Sequence, residues 1–195
     1  LQNYKQELEL LAGEAKNRKV VIRLSDALTQ DMPTGTLEQA DFSSISTRYL
    51  KESIDFARSH DFLTPAAKLL LSSAQYIMDL RALLLKPEMS WKDIREMLAK
   101  IKTGSVANIV DDELDFISKL AEDGYVIDIL NEAYEFGKVS GNIIDESFEG
   151  VTYVSIDNAL KKVNKLVCHT KRAKQNVLIA SLIKRLRVSV IENHL

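Results

Sequence analysis

The chain has 195 residues, a mass of 22.0 kDa and a formal net charge of −2, a balance that gives no support to a nucleic-acid partner. Apolar residues make up 46%, enough to bury a core, which excludes global disorder. A single cysteine, Cys168, excludes an internal disulfide framework and points to a reducing, cytoplasmic setting.

No apolar run nears the roughly 18–20 residues that cross a bilayer, and no charged-then-apolar leader opens the chain. It starts at Leu1 instead of Met and closes in IENHL, which reads as a segment of a larger intracellular protein. Seven Gly and three Pro leave few breakers among abundant Leu, Ala, Lys and Glu, so an all-α fold is expected.

The chain repeats itself at an offset of 106 residues. AKLLLSSAQYIMDLR at 67–81 returns as AKQNVLIASLIKRLR at 173–187, and ELELLAGEAKNRKVVIRLSDAL lies without a gap over ELDFISKLAEDGYVIDILNEAY. Fifteen of 89 aligned pairs are identical, among them Glu7 with Glu113, Gly35 with Gly141, Thr64 with Thr170 and Arg81 with Arg187. A fixed long period is the signature of a repeat array. The expected architecture is two tandem helical repeats of about 106 residues in bundle or solenoid-like stacking. Repeat 1 covers 1–106, with a bridging helix from about 90, and a truncated repeat 2 covers 107–195.

Five to six helices are expected in each copy. The first spans 3–16 and 111–122, where VDDEL supplies an acidic first turn and Gly124 a stop. The second spans 19–30 and 125–136, with Val20, Leu24, Ala27 and Leu28 on one stripe. Gly35 and Gly141 read as turn glycines, followed by a short third helix through Phe42 or Phe148. The fourth carries Leu50, Ile54 and Ala57, matched by Ile156, Leu160 and Val163. VTYVSI at 151–156 is locally β-prone but has no partner strand, so it reads as the start of that helix. Thr64 caps the fifth with Pro65 in its first position, and Thr170 caps its counterpart. Ser90 and Asp93 open the bridging sixth helix, whose Trp91 is expected to be buried between the repeats.

The small net charge conceals a division. Residues 105–152 hold twelve acids and two Lys, whereas 153–195 hold nine bases and two acids. Complementary faces within one domain are the plain reading. The sharper one concerns Lys171, Arg172, Lys174, Lys184, Arg185 and Arg187, which flank an apolar stripe on one helix. Such a helix suits the groove of a calmodulin-like protein or an anionic membrane surface. The repeat instead expects it to pack in its own domain, with Ala180, Ile183 and Leu186 as buried as Ala74, Ile77 and Leu80, and its six bases outward, near Asp145, Glu146 and Glu149 or open to solvent.

Chemistry-bearing motifs are missing. FGKVSG lacks P-loop spacing, VDDELD lacks the alternating ligands and central Gly of an EF-hand loop, and the three histidines are scattered. Cys168 and His169 are adjacent, but neighbours on a chain point apart and no third orienting group is visible. The expectation is a non-enzymatic scaffold or protein-interaction segment with no cofactor or metal. A regulatory or cytoskeletal module whose basic helix at 170–191 binds a calmodulin-like protein or anionic lipid is the alternative.

Overall fold

The computed structural model describes residues 2–138 and 150–193. Among them are seven α-helices and one two-stranded sheet, so the chain is predominantly helical. The order is α1 (Gln2–Thr29), β1 (Thr34–Thr36), β2 (Gln39–Asp41), α2 (Arg48–Arg58), α3 (Pro65–Leu84), α4 (Trp91–Thr103), a 3₁₀ turn at Asn108–Val110, α5 (Asp111–Glu135), α6 (Val154–Val163) and α7 (Lys171–Asn193). Two compact units divide the chain, Leu1–Ser118 and Lys119–Leu195.

In the first unit α1, α2 and α3 pack against one another and α4 packs on α3. Val20, Leu24, Ala27 and Leu28 of α1 meet Leu50, Ile54 and Ala57 of α2 in the core. Ala67, Ala74, Ile77 and Leu80 of α3 and Ile94, Leu98 and Ile101 of α4 complete it. The helix starts follow from their caps. Thr64 Oγ1 accepts from the Ala67 amide with Pro65 in the first position, and Ser90 Oγ accepts from the Asp93 amide. Trp91 is half-buried within this unit.

The second unit is built from the remainder of α5, with α6 and α7. Its core joins Val126, Leu130 and Ala133 to Ile156, Ala159, Leu160, Val163 and Ala180. The β-prone run does open a helix, at Val154. Thr170 Oγ1 accepts from the Ala173 amide and so caps α7.

Three expectations are corrected. The helices expected at 3–16 and 19–30 are the single α1, and those at 111–122 and 125–136 are the single α5. Gly124 lies buried inside α5. A glycine costs a helix interior only about 1 kcal/mol, and the buried residues on either side, Ala121 and Val126, outweigh it. The expected short third helix is an antiparallel hairpin, with Thr34 opposite Asp41 and Thr36 opposite Gln39. Gly35 has the positive φ expected of it, +92°, and any Cβ there would collide with the Gln39 carbonyl. Residues 1–106 accordingly hold four helices and a hairpin in place of six helices. The turn and short helix expected at Gly141 and Phe148 lie outside the described residues.

α1 and α5 also end alike. Asp31 (φ 54°) and Gly137 (φ 70°), each two residues past its helix, take the left-handed conformation that terminates a helix. A Cβ at Gly137 would run into Thr152. Gly137→Ala is therefore expected to destabilise the chain by at least about 1–2 kcal/mol, read as a lowered midpoint of urea unfolding at unchanged slope.

Candidate functional site

The last four carbonyls of a helix have no partner within it and carry the negative end of its dipole. At the end of α1 this need is met by a side chain from α3. Arg81 is fully buried, and its guanidinium donates through Nη2 to the Leu28 carbonyl (3.1 Å) and through Nη1 to the Gln30 carbonyl (2.8 Å). Its other edge forms a bidentate pair with Glu113 at the start of α5, Nε to Oε1 at 2.8 Å and Nη2 to Oε2 at 2.9 Å. Both side chains are essentially without solvent contact. Among the described residues no buried side-chain nitrogen or oxygen lacks a partner, so the charges are compensated as a buried pair must be.

Arg187 on α7 makes the matching contacts in the second unit. Nη2 donates to the Tyr134 carbonyl (2.8 Å) and Nη1 to the Phe136 carbonyl (2.8 Å), with Nη1 also reaching the Thr152 carbonyl (3.0 Å). Its guanidinium lies 5.6 Å from the centre of the Tyr134 ring. The difference is the acid. Among the described residues no carboxylate faces Arg187, and its Nε has no acceptor.

The helix starts are held in a parallel way. Asn17 on α1 accepts from the Thr64 amide at 2.9 Å and donates to the Phe62 carbonyl at 3.1 Å. Asp123 on α5, 3% exposed, accepts from both the His169 amide (2.8 Å) and the Thr170 amide (2.6 Å). A carboxylate on the free amides at a helix start is favoured by charge as well as by hydrogen bonding.

The six bases singled out in the sequence do not form one surface. Lys171, Arg172, Lys174 and Arg185 are exposed and Lys184 is half-buried, whereas Arg187 is 3% exposed and structural. Arginine at a helix end reads from sequence as a surface charge, and only its carbonyl acceptors reveal the other role. Lys184 pairs with Asp157 on α6 at 2.5 Å, and Lys161 joins the same carboxylate at 2.6 Å. The expected acids Asp145, Glu146 and Glu149 lie outside the described residues. Ala180 is buried and Ile183 partly so, but Leu186 is 67% exposed where Leu80 is fully buried. Leu178, Leu182 and Leu186 form an outward apolar row along α7. A groove of about 280 Å³ beside it is lined by Leu130, Tyr134, Ile156, Ile179, Ala180 and Ile183 together with the polar Asn131 and Asn176.

His169 places Nε2 3.1 Å from Glu122 Oε2. Burial, with the nearby Asp123 and Glu122 carboxylates adding to it against Lys174, pushes the Cys168 thiol above its ordinary pKa, the opposite of nucleophile activation. No group of three His, Cys, Asp or Glu side chains among the described residues can hold a metal, and no helix among them is long and apolar enough to cross a membrane. Comparisons with protein-family models, curated proteins and solved structures find no match.

Removing Arg81 leaves Glu113 buried and unpaired as well as two helix-end carbonyls. Arg81→Met is expected to cost about 3–5 kcal/mol, and Arg187→Met, which strands no acid among the described residues, about 1–3 kcal/mol, both measured by equilibrium urea unfolding. Hydrogen bonds from Lys161 and Lys184 hold the Asp157 carboxyl below its ordinary pKa. Its contribution is therefore present above the ordinary carboxylate range and lost as pH falls through the depressed value. Asp157→Asn is expected to be less stable than the parent at neutral pH, with the difference closing on acidification in paired thermal melts.

Proposed function

We propose that the chain is a non-enzymatic protein-interaction segment built from two tandem copies of one helical unit, of the kind that stacks into a scaffold. One observation carries the reading. Arg81 and Arg187, 106 residues apart, donate to carbonyls at 28 and 30 and at 134 and 136, which are themselves 106 residues apart. Generic amphipathic helices share apolar spacing, but they have no reason to share an arginine clamp on the same two carbonyls. The paired left-handed residues Asp31 and Gly137, the paired caps Thr64 and Thr170 and the paired clamps Asn17 and Asp123 support it at the same offset.

Repeats of this kind bury a shared core and leave an extended face for partners. The row Leu178, Leu182 and Leu186, each at least 48% exposed, supports an apolar protein contact on α7. Within the same proposal the setting is intracellular, in keeping with one thiol and no disulfide.

The regulatory alternative draws on that same outward row beside Lys174 and Arg185. It is the weaker reading, because a calmodulin-like partner encloses a helix, whereas Ala173, Ala180 and Arg187 lie on the packed side. Releasing α7 would expose them and undo the three carbonyl contacts of Arg187. Calorimetric titration of the intact chain with calcium-loaded calmodulin is expected to show no tight complex. Calcium-dependent binding with a large negative heat-capacity change would replace the scaffold reading. The repeat is tested by hydrogen exchange: Arg81→Met should speed exchange at the start of the hairpin segment after α1, and Arg187→Met at the equivalent residues after α5.

A further inference from the structure

In the first unit the α1–α3 side is closed by the segment that leads into α5. The Ala107 amide donates to Ser73 Oγ at 2.8 Å, the 3₁₀ turn packs on α1, Val110 and Ile117 are fully buried, and Glu113 seats on Arg81. Each of these three residues has a counterpart 106 positions earlier, at the start of α1. There Tyr4 is 72% exposed, Leu11 is 56% exposed and Glu7 faces solvent, with Leu8 beside them at 66%. The chain thus carries two versions of one docking segment, one seated and one open.

The second unit carries the matching open seat. A groove between α5, α6 and α7 is lined by Ile179, whose counterpart 106 positions earlier is Ser73, the residue that accepts from the Ala107 amide in the first unit. The Nε edge of Arg187 has no acceptor among the described residues. Leu186, the counterpart of the fully buried Leu80, is uncovered.

We infer that the chain associates head to tail with a second copy of itself. The first turns of α1 from one copy seat on the second unit of the next, with Tyr4, Glu7 and Leu11 taking the places of Val110, Glu113 and Ile117 and the Glu7 carboxylate meeting Arg187. Charge favours the pairing at α7, where Lys171–Asn193 carries six bases and one acid, against three acids and one base, Lys5, over residues 2–15 of α1. The contact uses a different surface on each copy, so it is heterologous and each bound copy presents the next open end. This inference rests on the tandem-repeat reading and adds the partner to it.

Sedimentation velocity of the full chain at rising concentration tests it. The parent chain is expected to form a growing series of species, and Glu7→Gln to weaken each step by about tenfold, the scale of one charge-assisted hydrogen bond. Two blocked variants decide the geometry. Glu7→Arg with Leu11→Asp blocks the docking helix, and Ile179→Asp with Leu182→Asp blocks the seat; both sites are exposed, so folding is spared. Each variant alone should stay monomeric, and the mixture should give a 1:1 dimer that grows no further. A parent chain that remains monomeric throughout overturns the inference, as does a closed dimer that either variant still forms. A labelled peptide of residues 107–118 then separates the two ideas. If it binds the monomeric chain and loses binding with Ile179→Asp and Leu182→Asp, the repeat reading stands and self-association alone has failed. If it does not bind, the repeat reading fails with it.

Discussion

A buried guanidinium holds the first unit together. Arg81 ends α1, positions α3 against it and takes the acid at the start of α5, so three helices are fixed relative to one another by a single side chain. The planar fork suits the task. Two parallel bonds on one edge satisfy a carboxylate while the other nitrogens reach carbonyls on a helix end, which a lysine ammonium cannot do in one fixed geometry. Burying such a charge is unfavourable unless every donor near it is matched. The surrounding helices are therefore held to one register, and the apolar packing of Leu24, Ile54 and Ile77 fills in around that constraint.

Much of this was legible in the sequence. The stripes of α1, α2 and α3 and the caps Thr64, Ser90 and Thr170 followed from periodicity and capping chemistry, because local hydrogen bonding and burial decide them. The hairpin was not legible. Its strands are three residues long and mostly exposed, so they carry no alternation of apolar and polar residues, and only the backbone demand at Gly35 marks the place. The single helices α1 and α5 were missed because a glycine and a polar run look like a stop when the packing around them is unknown.

The clamp itself was half-visible. Arg81 with Arg187 and Glu7 with Glu113 are identities in one register, yet a basic residue in a helix and an acid in a first turn each have a sufficient surface explanation. What would have exposed the pair is that Arg81 with Arg187 and Glu7 with Glu113 are, with Lys68 and Lys174, the charged identities in an alignment otherwise made mostly of small and apolar residues. Asn17 and Asp123 left no such trace, since the same clamp is built there from two different side chains.

Asp123 has a second effect through its charge. The carboxylate that anchors the start of α7 is also among the groups that oppose ionisation of Cys168. Peroxides and disulfides react with thiolate, and a thiol kept protonated is sluggish toward both. Burial first, and the carboxylate that orders the adjacent helix second, hold the one thiol of the chain protonated, so folding of the second unit and chemical quiescence of its cysteine arise together. Loosening the start of α7 would release the thiol as well, which makes the redox sensitivity of Cys168 a reporter of whether that helix is docked.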